Sequence, residues 1–206
     1  MANVDFLQIG LQLAVLIVSL TVHEAAHAWA ANRLGDPTAR LLGRLSFNPL
    51  VHIDPVGTVI FPLVAITTGL PLIGWAKPVP VDFRNLRAPR RDFAVIAAAG
   101  PTSNVLLALV GAGVFAAVAA TSTNEMLLEL VFSFVSLNVL LAVFNMLPIP
   151  PLDGGNVLIG VLPASSAGLV ERLRPFGFVA LYALMLTGVL WTLIGPVYRL
   201  VLGWLL

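Results

Sequence analysis

The sequence predicts an all-α polytopic membrane protein. Its expected core is three transmembrane helices with additional C-terminal span(s), and a re-entrant or short β-containing segment after the first helix. Three observations carry this. Hydrophobic residues make up 59% of the chain and charged residues 10%, against roughly 45–50% and about 25% in globular proteins, and the mean hydropathy is +0.98. The apolar residues are gathered into runs that reach the length of about 20 residues a membrane helix needs. Between the runs, Pro, Gly and basic residues cluster in links too polar for lipid.

The first run covers residues 6–31. Its polar positions are Gln8, Gln12, Ser19, Thr21, His23, Glu24 and His27. At about 1.5 Å per residue, His23 falls in the far half of this span but still within the apolar layer. Asn32-Arg33-Leu34-Gly35-Asp36-Pro37 ends it, with Gly and Pro placed as at a helix C-terminus. Residues 38–56 are polar and Pro-broken, which predicts turns and short strands. Residues 57–74 are apolar but interrupted by Pro62, Thr67-Thr68-Gly69 and Pro71, and read as a short kinked span or a re-entrant pair of segments. Residues 75–92 are basic and Pro-rich. In Lys77-Pro78-Val79-Pro80-Val81 each proline disfavours helix in the residue before it, so the stretch is expected to be extended.

The second clear span is residues 93–120, whose Ala and Gly suit close helix packing. After the acidic link at 121–125, the third span covers residues 126–146. It is broken by Pro148, Pro150 and Pro151 and followed by Leu152-Asp153-Gly154-Gly155. A brief apolar piece at 156–162 leads to Pro163 and the polar Glu171-Arg172-Leu173-Arg174. The last run, residues 176–206, predicts one more span, kinked or split at Gly195-Pro196. The N-terminus does not resemble a cleavable signal, since it carries Asp5 in place of a basic region and the apolar run continues into the His-Glu stretch.

Basic residues give the expected topology. Arg33, Arg40 and Arg44 fall in the first link, Lys77, Arg84, Arg87, Arg90 and Arg91 in the second, and Arg172 and Arg174 in the third. The positive-inside rule places all three links in the cytoplasm, with Asp5 and Glu125 outside. Residues 57–74 must then enter and leave on one side or cross twice. His23 and Asp153 come to similar depth in the cytoplasmic half. Net charge is +1 and no basic cluster is interleaved with aromatics, so nucleic acid is not an expected partner. The chain has no cysteine, which excludes disulfides, iron–sulfur clusters and thiolate zinc.

The chemistry concentrates in His23-Glu24-Ala25-Ala26-His27. On a helix, His23 and His27 project one turn apart from the same face. That spacing presents two imidazoles to one metal ion and places Glu24 to act on a water. A catalytic zinc needs a third protein ligand, and without cysteine the candidates are carboxylates or His52. Asp153 is the better candidate, because it lies between a Pro-rich break and a Gly pair at a depth where unwound backbone must line a cavity. It is equally placed to cap the helix that follows. His52, next to Asp54, reads as a loop histidine bonded to that carboxylate.

The combination of His-Glu-Ala-Ala-His at 23–27 with Asn145-Met-Leu-Pro148-Ile-Pro150-Pro-Leu-Asp153-Gly154-Gly155 resembles the site-2 protease family of intramembrane zinc metalloproteases. Gly100-Pro101-Thr102-Ser103-Asn104 resembles the family's Gly-Pro-x-x-Asn segment. Gly43-Arg44 through Gly57, with Trp75-Ala-Lys-Pro-Val-Pro, resembles the loops of its short bacterial and archaeal members. The resemblance implies one Zn2+ per chain held by His23, His27 and Asp153, with Glu24 polarising the water and passing its proton to the leaving amine. Asn145 would hydrogen-bond the substrate carbonyl or the developing oxyanion. The implied protein is a short form without PDZ or CBS domain: one integral membrane protease domain over residues 1–206, its core motifs within 20–160. It would sit in a prokaryotic cell membrane with the active site toward the cytoplasm, and cut in or near the transmembrane segment of a membrane-protein substrate. Asn104, Asn138 and Asn145 are expected to line a water path, Asn138 equally a helix-packing contact. The stretch at 75–81 is either a strand that pairs with unwound substrate or a surface loop.

Other readings remain. Intramembrane His and acids also mark ion or metal transporters, although neither motif is duplicated as transporter repeats would be. Another metalloprotease type would need a Glu ligand from Glu125, Glu129 or Glu171, all placed away from the histidines. A non-catalytic metal-binding scaffold would have no use for Glu24.

Overall fold

The computed structural model describes residues 6–69 and 74–206. The first span is α1 (Phe6–Arg33). A short α2 (Thr38–Leu41) follows, then a 3-10 turn at Pro49–Val51. A π-wound turn, Pro55–Ile60, runs directly into α3 (Phe61–Thr68). After an extended stretch come the two long helices α4 (Pro89–Thr121) and α5 (Glu125–Asn145). The chain finishes with α6 (Asp153–Val161), α7 (Ala164–Leu173), α8 (Gly177–Leu186) and α9 (Val189–Leu205). Among the described residues α1, α4 and α5 are long and apolar enough to cross a membrane. The pair Ala164–Leu186 and Val189–Leu205, bent by 80°, supplies a possible fourth crossing.

α4 is the centre of the molecule and packs against α1, α5 and α6. Its buried positions include Ala97, Gly100, Pro101, Asn104, Ala108 and Gly111, a seam of small residues at helical spacing that lets neighbouring backbones approach. At Gly111 a Cβ would meet Val135 of α5 at 2.9 Å. Ala108, Val135 and Val139 form one buried cluster, capped by Tyr198, Val201 and Leu202 of α9, and Ser136 hydrogen-bonds Tyr198. A second cluster, Ala30, Ala31, Leu86 and Ile96, ties the end of α1 to the link before α4. Arg90 donates to the carbonyls of Ile159 and Leu162 at 2.9 and 2.5 Å, a cation on the open carbonyls at the end of α6.

Two expectations are corrected. The re-entrant or β-containing segment is not formed by the described residues, though part of it, residues 70–73, lies outside them. Pro55–Ile60 and Phe61–Thr68 make one helical rod of six and eight residues, roughly 20 Å long and short of the roughly 30 Å hydrocarbon layer. It closes on Gly69, whose φ of 71° takes the left-handed cap. The stretch at 75–81 is extended, and Trp75 and Lys77 donate to the carbonyls of Gly57 and His52. No strand ladder develops, because Pro78 and Pro80 have no amide hydrogen to continue it. The other correction concerns the C-terminal run, which breaks at Gly188 (φ 76°) and not at Gly195-Pro196. Pro196 sits inside α9.

Candidate metal centre

The site starts from the inner face of α1, where Ser19, His23 and His27 stack at four-residue intervals and are all buried. α4 meets this face at Gly100. A Cβ there would lie 2.6 Å from Nε2 of His23 and closer still to Nε2 of His27, so only glycine lets α4 come this near. Pro101 follows it inside the helix and lacks the amide that would bond the carbonyl of Ala97, which loosens α4 at the turn facing the imidazoles.

Both imidazoles are oriented by α4. His27 Nδ1 lies 2.7 Å from the carbonyl of Ile96, an acceptor only, so that nitrogen carries the proton. His23 Nδ1 lies 2.6 Å from Oδ1 of Asn104. Asn104 Nδ2 donates to Oδ1 of Asn138 at 2.8 Å, and Asn138 Nδ2 donates to Ser19 Oγ and the carbonyl of Phe134, both at 2.9 Å. The Phe134 carbonyl fixes the direction of the whole chain. Asn138 must turn its nitrogen toward it, Asn104 must turn its nitrogen toward Asn138, and His23 Nδ1 must donate. Each Nε2 is then the lone-pair nitrogen. Asn104 and Asn138, expected to line a water path, are fully buried in this relay, because their carboxamides are saturated by the groups that hold His23.

Asp153 arrives from the other side. It is the first residue of α6 and caps nothing: the N-cap is Leu152, without a side-chain bond. The carboxylate gains instead from the helix N-terminus behind it. Gly154 and Gly155 seat α6 on the preceding turn, where a Cβ would strike the carbonyls of Met146 and Leu147 and the backbone of Pro150. Asp153 Oδ2 thereby comes within 3.2 Å of His23 Nε2 and 3.4 Å of His27 Nε2, while the two Nε2 atoms are 3.0 Å apart. These three acceptors are a group able to hold a metal ion. A proton can bridge only two of them at once, whereas one cation at the centre serves all three. With zinc ligand distances of about 2.0–2.2 Å, the edges of a tetrahedral site are roughly 3.3–3.6 Å, close to the separations found here, so the donor set fits zinc.

A cavity of about 440 Å³ opens onto these atoms, lined also by Glu24, Asn145 and Asn156. Glu24 is buried and its Oε2 accepts no hydrogen bond. Asn145 is half-buried at the end of α5, its Nδ2 donating to the Leu141 carbonyl of its own helix at 3.0 Å. Ala76, Pro78 and Val79 of the extended stretch line the same cavity. Arg44 holds that stretch, donating to the carbonyl of Lys77 and to that of Pro78. Burial pulls the Arg44 guanidinium below its ordinary range, and the negative charge of Glu24 opposes this.

His52 is not part of the cluster. It is buried with Nε2 2.8 Å from the carbonyl of Ser46. The expected partner Asp54 instead accepts from the amides of Val56 and Gly57, because it precedes a Pro-led helical turn and caps it. Asp36 went unnoticed in the sequence. Its buried carboxylate accepts from Thr38 N and Oγ1, Asp82 N and Asn85 Nδ2 at 2.5 to 3.1 Å, pinning the link before α4 to the end of α1. The Asp-Pro-Thr turn signal marks this position as polar, but only the fold supplies residues 82 and 85.

The family model of peptidase family M50 matches residues 112–188, a segment that contains Asn145 and Asp153. The chain is 38% identical over 181 residues to YwhC of Bacillus subtilis, which is named as a zinc metalloprotease, an alignment covering 84% of this chain and 78% of that protein. Rip2 of Mycolicibacterium smegmatis, also named as a zinc metalloprotease, is 28% identical over 179 residues, covering 86% and 67%. Rip2 of Mycobacterium tuberculosis strain H37Rv is 31% identical over 180 residues, covering 84% and 66%. No solved structure matches the chain. With its apolar helices and the convergent His23, His27 and Asp153, the chain belongs to peptidase family M50, the site-2 protease family, and is a multi-pass membrane zinc metalloprotease.

Proposed function

We propose that this protein hydrolyses peptide bonds in or near the transmembrane segments of other membrane proteins, using one zinc held by His23, His27 and Asp153. The observation that carries this is the convergence of three lone-pair atoms within an apolar helix bundle, beside the buried carboxylate of Glu24, whose Oε2 accepts no hydrogen bond among the described residues. When bound, zinc supplies Lewis acidity, making a water nucleophilic near neutral pH and polarising the scissile carbonyl. Glu24 Oε2 accepts the proton of the attacking water and delivers it to the leaving amine nitrogen. Asn145 turns its Nδ2 from the Leu141 carbonyl to the substrate carbonyl, where negative charge develops. A helical substrate has its amides bonded internally and must unwind to be cut. The amides of Ala76 and Val79 make no backbone hydrogen bond and lie at the cavity, available to such an unwound strand.

The positive-inside rule applied to the basic links supports the catalytic end of α1 facing the cytoplasm; on this reading residues 1–206 act as one protease domain in a prokaryotic cell membrane. Transport is the weaker reading, since the relatives are named as metalloproteases and neither motif is duplicated as transporter repeats would be. Glu24→Gln in purified protein tests the proposal. It should keep about one zinc and lose cleavage of a membrane-spanning substrate. Full activity in that variant would remove Glu24 from the mechanism, and a zinc-loaded wild type that cuts no such substrate would remove the proposed reaction.

A further inference from the structure

α6 carries a second polar side chain toward the cavity. Asn156 lies one turn beyond Asp153 on the same helical face, lines the cavity and is 9% exposed. Its Oδ1 is sealed from solvent and accepts no hydrogen bond. Among the described residues its side chain has no hydrogen-bond partner. Gly154 and Gly155 seat the first turn of α6 close against the preceding loop. An unpaired buried carboxamide costs the fold free energy that an aliphatic side chain of similar size would not. The contrast with Asn104 and Asn138 is instructive: both are buried, both orient a neighbour, and both are hydrogen-bonded at oxygen and nitrogen. Asn156 orients nothing within the chain.

We infer that Asn156 is a substrate-binding residue whose carboxamide hydrogen-bonds a main-chain peptide group of the unwound segment beside the bond being cut. This rests on the proteolytic reading above. The Nδ2 amide of Asn156, unpaired and not sealed as Oδ1 is, is a donor, complementary to a C=O that a helix leaves open when it unwinds. An apolar pocket would hold a side chain equally well whether the strand is helical or extended. A carboxamide rewards the extended form, because only there are main-chain groups free to pair. Ala76 and Val79, whose amides make no backbone hydrogen bond among the described residues, line the same cavity, so a strand lying in it would pass between the extended stretch and Asn156 on α6.

The experiment compares wild type with Asn156→Leu, which removes the polar groups and keeps the shape, on a membrane-spanning substrate in lipid vesicles. Zinc content, thermal midpoint, kcat and KM are read together. The expected variant holds the same zinc and melts no lower than wild type. Its KM is raised about tenfold or more, equivalent to about 1.4 kcal/mol of lost binding, and its kcat changes far less. Asn156→Ala is read in the same way should the leucine variant fail to fold. Unchanged KM and kcat would overturn the assignment, as would loss of zinc or a lowered midpoint in both variants, which would mark a structural residue. A zinc-loaded wild type inert toward the substrate would overturn the proteolytic reading and this assignment with it. An active wild type with an unimpaired variant would overturn this assignment alone.

Discussion

The Nε2 atoms of His23 and His27 face each other at 3.0 Å, each with its Nδ1 already committed to a partner on α4. The motif on α1 supplies the two rings, but α4 decides which nitrogen of each is available to a metal.

Gly100→Ala should abolish zinc binding, because the added Cβ falls on the Nε2 atoms of His23 and His27, the proposed ligand atoms. Either α4 moves away, breaking both Nδ1 bonds, or the rings turn. Activity should fall by at least about 100-fold, the scale on which small misplacements near a reacting centre act. Gly113→Ala on the same helix meets nothing within 4 Å and should be neutral or stabilise by up to about 1 kcal/mol. Zinc content and thermal midpoints of the two variants make the comparison.

Asn104→Ala should lower zinc affinity by about 10–100-fold, the usual effect of removing a group that orients a ligand histidine. Titration with a competing chelator reads it. Asp153→Asn should weaken zinc more, since it removes charge from a ligand atom itself. His52→Gln should leave zinc affinity unchanged and lower only stability, because His52 bonds the Ser46 carbonyl away from the cluster.

Arg44→Met should leave zinc in place and lower kcat/KM several-fold, about one kcal/mol, by releasing the carbonyls of Lys77 and Pro78. Arg44→Lys should recover part of the loss, since a single nitrogen of Arg44, Nη2, donates to both carbonyls and an ammonium also carries several donors. Cleavage kinetics and limited proteolysis at residues 75–88 would both report the loosened stretch.

Asp36 gives a pH dependence. Burial raises its pKa, but hydrogen bonds from Thr38, Asn85 and the amides of Asp82 and Thr38 outweigh this and hold it below the ordinary carboxylate range. Its contribution to stability is therefore complete above the unfolded value of about 3.9 and is lost as pH falls through the folded one. The thermal midpoint in detergent should be flat in Asp36 terms above about pH 5 and decline below about pH 4. Asp36→Asn should be less stable at pH 7, by about 1–3 kcal/mol for the disturbed hydrogen bonds, with a shallower decline in acid.

Much of this was legible in the chain because lipid makes the rules strict. The spans at 6–31, 93–120 and 126–146 lie within α1, α4 and α5 to within a few residues, since a membrane helix must be long and apolar. Charged groups in such a helix stand out, so the stretch at 23–27 announced itself. What failed was local. Residues 38–56 read as turns with short strands but fold as α2 and a 3-10 turn, and the extended stretch at 75–81 builds no ladder among the described residues because Pro78 and Pro80 lack amide hydrogens. The break in the last run was assigned to Pro196, whereas Gly188 takes it, because a left-handed cap ends a helix more completely than a proline late in an apolar one.

The sequence by itself determined that two histidines and a glutamate share about one turn of an apolar helix, and that Asp153 stands between a proline-rich break and a Gly pair. Helical periodicity and hydropathy suffice for that, being properties of single segments. Only the tertiary structure decided that Asp153 turns to the imidazoles instead of capping α6, that Asn104 and Asn138 hold His23 instead of leading water to it, and that Gly100 is the gap through which α4 touches both rings. Each of these depends on distances between helices. Residues 81 positions apart in the chain become hydrogen-bond partners only when small side chains on α4 let the backbones close.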